Sequence, residues 1–217
     1  HLHTVSKIVI MNKIETILFD FGGVLLDLDS DRAYTSLSEL LGIDFYRIKD
    51  SKAQYKFLLD YEQGKISREV FIWNIQRLAK GKTPQPLNII KAWNAMLLGW
   101  DEHKFEVLRQ LKNRYRIMIL SNTNELHIDW VNRDLKKRNR YDDFQDLFEG
   151  NLYYSFQMGL IKPSIEIFKE LISQSGIEPS KTLFIEDTEQ NLIPAQSLGM
   201  QGLLHTRNDA IDYLLEI

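Results

Sequence analysis

Four apolar runs of this chain end in residues that could do chemistry. Asp20 follows "TILF", Ser121 closes "RIMILS", Lys162 stands in "GLIKPS", and the pair Glu186-Asp187 follows "TLFI". An aspartate can act as a covalent nucleophile, a hydroxyl and a lysine can bind an anion, and adjacent carboxylates can hold a hard divalent cation. Each also has a plain structural reading. Asp20 could stabilise the turn after its strand. Ser121-Asn122 could cap a helix through Leu126 and Trp130, Lys162-Pro163 could open a helix, and Glu186-Asp187 could be a further cap. Taken together the plain readings weaken, because they place a carboxylate, a hydroxyl, a lysine and a carboxylate pair along one sheet edge by accident.

Placing such groups together requires short strands with a common edge. "ETILFD" (15–20), "YRIMILS" (115–121), "KTLFIED" (181–187) and "GLLH" (202–205) are suitable apolar runs. Helical spacing fills the gaps: Phe105, Leu108 and Leu111 in one, and Ile165, Phe168, Leu171 and Ile172, stopped by Gly176, in another. Continuously apolar strands alternating with helices predict a parallel sheet covered on both faces. The fold class is therefore α/β, a doubly wound, Rossmann-like core.

From Asp29 to about Trp100 the rhythm changes, and no strand candidate stands out. Ala33, Leu37, Leu40 and Leu41 share a helical face closed by Gly42. Ser67 is placed as an N-cap, with Ile66 and Phe71 as a hydrophobic staple. That helix runs through Ile75, Leu78 and Ala79 to Gly81, and "TPQP" separates it from "LNIIKAWNAMLL". We expect residues 14–29 and 100–217 to form the core and 30–99 to form an all-helical cap. The cap would sit above the carboxyl edge of the sheet, where such folds bind ligands. Residues 1–13 read as an N-terminal extension.

Composition narrows the function. The 217 residues carry a net charge of −3, so no global field draws the chain to nucleic acid or an anionic membrane. The one basic run, "KKRNR" (136–140), reads as a solvated helix end. No apolar run is long enough to span a bilayer, and "HLHTVSKIVIMNK" lacks the features of a signal peptide. The absence of cysteine excludes disulfides, thiolate metal sites and a cysteine nucleophile, and accords with a cytoplasmic location. The five histidines are too scattered for a zinc site.

The motifs "ILFDFGGVL", "IMILSNT", "GLIKPS" and "TLFIEDTEQN", in that order, resemble the haloacid dehalogenase-like hydrolase superfamily from about Ile14 onward. The helical insert corresponds to that superfamily's C1-type cap. "FDFGGVLLDLD" with "LSNTN" looks most like the branch of bacterial α-D-glucose-1-phosphate phosphatases and the phosphatase domain of soluble epoxide hydrolases. The resemblance implies Mg²⁺-dependent hydrolysis of a small phosphorylated metabolite, such as glucose 1-phosphate, through an aspartyl phosphate on Asp20. It implies that Mg²⁺ is held by Asp20, the backbone carbonyl of Gly22 and Asp187, with Glu186 orienting the metal's surroundings. Ser121 and the backbone N–H groups of Asn122 and Thr123 would bind phosphoryl oxygens, and Lys162 would set a positive charge between nucleophile and phosphate. Asn191 could support the metal or cap a helix, with Pro194 marking the first turn. Asp27, Asp29 and Arg32 read as linker charges that could also serve a sugar hydroxyl network. Trp73, Trp93 and Trp100 read as cap core rather than a stacking platform.

Two other readings compete. A haloacid dehalogenase would need no metal and carries a Tyr-Gly pair where this chain has Gly22-Gly23. A catalytically weak sugar-phosphate-binding protein would keep the fold without the chemistry. Position 22 is the point of departure, because most phosphatases of the superfamily carry a second aspartate there to protonate the departing alcohol. Such help contributes ~10²–10⁴-fold. Its absence predicts a preference for stable leaving groups, glucose 1-phosphate over glucose 6-phosphate, unless a water of the metal shell, a cap residue or Asp27 stands in.

Overall fold

The structure, a computed structural model, describes residues 13–206 and 210–217. All of the expected extension except Lys13 lies outside these residues. In chain order the elements begin with β1 (Thr16–Phe19) and β2 (Asp27–Leu28). A helical block follows: α1 (Ser30–Leu41), α2 (Phe45–Asp50), α3 (Lys52–Glu62), α4 (Arg68–Gln76) and α5 (Pro86–Asn94). Then come β3 (Leu97–Gly99), α6 (Glu102–Lys112), β4 (Arg116–Ser121), α7 (Glu125–Lys137) and α8 (Tyr141–Phe148). The chain continues with β5 (Leu152–Tyr154), α9 (Ser155–Met158), α10 (Ile165–Ser175), β6 (Thr182–Glu186), α11 (Glu189–Ser197) and β7 (Gln201–Leu204).

The main sheet has the order β5-β4-β1-β6-β7, parallel throughout. β1 is central because it is apolar enough to be buried on both faces; all four of its residues are enclosed. Successive side chains point to opposite faces. Ile17 and Phe19 join Ile119 and Ile185 in a cluster that continues into the helical block through Leu37, Phe71 and Trp93. Leu18, Met118, Leu120 and Phe184 pack on the other face against Phe168 and Leu171 of α10 and Ala195 of α11. Phe19 lies level with Ile119 and Ile185, so the three strands end within two residues of one another. Strand order reverses at β1, which places a ligand crevice at the carboxyl ends there.

In the helical block, α1 buries Ala33, Leu37 and Leu41 and closes at Gly42 in the left-handed conformation, φ 66°. Ser67 caps α4, its side chain accepting from the Val70 N–H at 3.3 Å. The structure corrects several expectations. A small antiparallel sheet of β2 and β3 lies partly within the span expected to lack strands, because three residues carry too little period to be read. β5, equally short, escaped for the same reason. Trp73 is 53% exposed under Arg77 rather than buried. Trp100 packs on Phe21, Phe105 and Phe144 outside the block. Asn191 is no cap: α11 starts at Glu189 behind Thr188, and Pro194 lies inside the helix rather than in its first turn. Among the described residues, no helix is long and apolar enough to cross a membrane.

Candidate active site

The strand ends deliver their polar residues to one place. Asp20 continues the β1 ladder by one residue, its N–H donating to the Ile185 carbonyl at 2.8 Å. Ser121 and Glu186 are the last residues of β4 and β6. Lys162 enters from the segment between α9 and α10 and is buried to 3% exposure. Its Nζ lies 2.9 Å from Asp20 Oδ1 and 2.6 Å from Glu186 Oε2. The Phe21 N–H donates to the same Asp20 oxygen at 2.7 Å.

Lys162 is held there by Asn122. The Lys162 N–H donates to Asn122 Oδ1 and Asn122 Nδ2 donates to the Lys162 carbonyl, each at 2.9 Å. The Asn122 side chain is therefore a clamp on the lysine. The Thr123 N–H, expected to face an anion, donates instead to Ser155 Oγ at 2.9 Å. α7 begins only at Glu125, capped by Asn124, whose Oδ1 accepts from the His127 N–H at 3.1 Å. Neither residue expected to open that helix does so.

Asp20, Glu186 and Asp187 each offer a carboxylate oxygen, and these lie within 4.8 Å of one another. One lysine faces three carboxylates, and their protonation reflects that imbalance. Burial raises the Asp20 carboxyl to about 8 despite the attraction of Lys162. Burial, with Glu186 alongside, lifts Asp187 to about 6. Glu186 is fully enclosed, yet Lys162 outweighs that burial and holds its carboxyl below the ordinary value. Lys162 stays above its ordinary value because Asp20 and Glu186 together overcome desolvation. Hard oxygen donors with surplus negative charge fit Mg²⁺, which takes carboxylates and keeps waters. Glu186 is occupied by Lys162 and the Thr188 N–H, the latter at 3.1 Å, whereas Asp187 reaches the surface.

Of the two glycines after Phe21, Gly23 is the one its surroundings require. A Cβ on Gly22 would lie 2.4 Å from Leu28 Cδ1. Gly23 has φ +79°, and a Cβ there would meet Asp187 Oδ2 at 2.1 Å, so the carboxylate packs directly against its Cα. Asp27 is not available as a free acid: Lys104, 2% exposed, donates to its Oδ1 at 2.7 Å and to the Leu25 carbonyl at 3.2 Å. Asp29 caps α1, accepting from the Asp31 N–H at 3.1 Å, and Arg32 is exposed.

A cavity of about 200 Å³ adjoins the cluster, lined by residues including Gly22, Leu28, Ser121, Asn122 and Thr123, and by Tyr34, Glu62, Trp93 and His127. His127 stacks on Trp93 with ring centres 5.2 Å apart, and burial pulls its imidazole down to about 4, so it is neutral. Sequence reasoning missed Glu62, His127, Ser155 and Lys104, which no local pattern marks.

The haloacid dehalogenase-like hydrolase family matches residues 14–199. A D-ribitol-5-phosphate phosphatase of Bacteroides thetaiotaomicron is 31% identical over 193 residues, 87% of this chain and 90% of that protein. Among solved structures, the HAD family enzyme bt-2542 of Bacteroides thetaiotaomicron, in complex with magnesium and inorganic phosphate, is 32% identical with a TM-score of 0.82. That match covers 93% of this chain and 98% of that one. A HAD-like family hydrolase of Porphyromonas gingivalis is 30% identical with a TM-score of 0.80, covering 94% and 95%.

Proposed function

The chain belongs to the haloacid dehalogenase-like hydrolases, and from that membership we propose that it is a Mg²⁺-dependent phosphatase of a small phosphorylated sugar or sugar alcohol. The observation that carries the reading is Lys162, buried between Asp20 and Glu186, with the carboxylates of Asp20 and Asp187 converging beside it. Oδ1 of Asp20 already accepts from Phe21 and Lys162, so attack on phosphorus falls to Oδ2. The bond from phosphorus to the alcohol oxygen breaks as the bond to Asp20 forms, and water then cleaves the aspartyl phosphate. Ser121 Oγ donates to a phosphoryl oxygen; its one bond among the described residues, to the Asn122 carbonyl, is long at 3.5 Å. Lys162 keeps the two anions together, in the manner of catalysis by positioning and charge. Asp20, Asp187 and the Gly22 carbonyl would hold Mg²⁺, which would supply the neutralisation that lets a carboxylate approach a phosphate dianion.

For substrate, we rank an open-chain sugar-alcohol phosphate ahead of glucose 1-phosphate. The relative matched over most of its length is named for D-ribitol 5-phosphate, and the cavity of about 200 Å³ suits a small polar molecule. The test is phosphate release from D-ribitol 5-phosphate, glucose 1-phosphate and glucose 6-phosphate, with Mg²⁺ and with EDTA. Release only with Mg²⁺ supports the reading. No release from any ester, or undiminished release in EDTA, overturns it.

A further inference from the structure

A primary sugar-alcohol phosphate has a poor leaving group, yet Gly22 provides no proton donor beside Asp20. The structure also removes the nearest substitute. Lys104 holds Asp27, the nearest other acid along the chain. Among the described residues lining the cavity, one carboxylic acid stands apart from the metal-binding cluster. We propose that Glu62 is the general acid that protonates the departing alcohol oxygen; this assignment rests on the phosphatase reading above.

Glu62 comes from the helical block but is anchored to the sheet. It is the last residue of α3, and Ser155 Oγ donates to its carbonyl at 2.6 Å while accepting from the Thr123 N–H at 2.9 Å. Ser155 thereby ties Glu62 to the residue two past Ser121. The hydroxyl of Tyr61 accepts from the Leu126 N–H at 3.2 Å, a second tie to the same region. Gly64 closes the turn at φ +65°, where a Cβ would lie 2.1 Å from the Phe156 carbonyl oxygen. The backbone carrying Glu62 is thus locked onto the carboxyl end of β4.

The side chain has a free hand. Its carboxyl has no hydrogen bond or ion pair with any described residue, and Glu62 is among the residues lining the cavity with Gly22 and Ser121. Burial raises it to about 7, so a large share is protonated near neutral pH. Neutral His127, which lines the same cavity, does not compete for the proton. In the step, the Asp20–phosphorus bond forms, the phosphorus–oxygen bond breaks, and the Glu62 proton passes to that oxygen. The water that later attacks the aspartyl phosphate returns a proton to the Glu62 carboxylate, closing the cycle.

The experiment compares kcat/KM for esters running from p-nitrophenyl phosphate to primary alkyl phosphates, in the wild type, Glu62→Gln and Glu62→Asp. This constant reports only steps through departure of the alcohol, so the water step does not enter. Glu62→Gln is expected to lose ~10²–10⁴-fold on alkyl esters and progressively less toward the nitrophenyl ester. The dependence on leaving-group pKa therefore steepens. Glu62→Asp, which keeps the acid one methylene shorter, is expected to fall between the two. An equal loss for every ester, or no loss, overturns the assignment, since a residue that only shapes the cavity gives parallel lines. Failure of the wild type to hydrolyse any ester overturns the phosphatase reading itself, and the assignment with it.

Discussion

Replacing Glu62 by glutamine also tests the cavity's electrostatics without any substrate. Burial raises the Glu62 carboxyl from 4.5 to about 7. A carboxyl raised in the folded state contributes stability that is complete below its unfolded value and is lost as pH climbs through the folded one. The wild type therefore loses stability between about pH 4.5 and pH 7, while glutamine, of similar shape and uncharged, does not. At about 1.4 kcal/mol per pH unit the full effect is about 3 kcal/mol. Because Glu62 is only partly buried and its cavity admits water, we expect about 1–2 kcal/mol of it to be realised. The assay is urea unfolding of both proteins at about pH 4.5 and about pH 8, in EDTA so that metal linkage is absent. Tryptophan fluorescence and circular dichroism would follow the transition in parallel. The midpoints should nearly coincide in acid, and the variant's should lie about 0.3–1 M higher at alkaline pH. Equal midpoints at both pH values would show that the carboxyl is not desolvated. A wild type more stable than the variant at alkaline pH would show that the carboxylate has a partner.

Asp20→Asn should abolish turnover while leaving the far-ultraviolet spectrum unchanged, since the amide keeps the size and loses the nucleophile; substantial activity in the purified variant would sink the covalent mechanism. Lys162→Ala should cut kcat by orders of magnitude and cost about 3–5 kcal/mol in urea unfolding, because it strands two buried carboxylates without their cation. A near-wild-type rate would refute the lysine's role. Asp187→Asn should raise the Mg²⁺ concentration needed for half-maximal activity, and Gly23→Ala should do the same by displacing the Asp187 carboxylate that packs on its Cα. A Mg²⁺ titration unchanged in both variants would show the metal to be elsewhere.

The sequence determined where the strands end and which polar residues stand there. A strand buried on both faces must be apolar along its length, so Asp20, Ser121 and the Glu186-Asp187 pair stand out locally where β1, β4 and β6 stop. Their order along the chain carried the family resemblance, and the helical face of Ala33, Leu37 and Leu41 was legible for the same reason of period. Other features had no local mark. A glutamate ending a helix looks like any surface glutamate until Ser155, 93 residues away, ties it to Thr123. Asp27 reads as a linker charge until Lys104 arrives from another helix to bind it. Gly22 and Gly23 are alike as letters, and only the fold presses Leu28 toward one and Asp187 against the other. Local pattern records which face a residue turns to its neighbours, over a few residues. Which distant groups share a cavity, and so which carboxyl is left desolvated and unpaired, is decided by where the chain crosses itself.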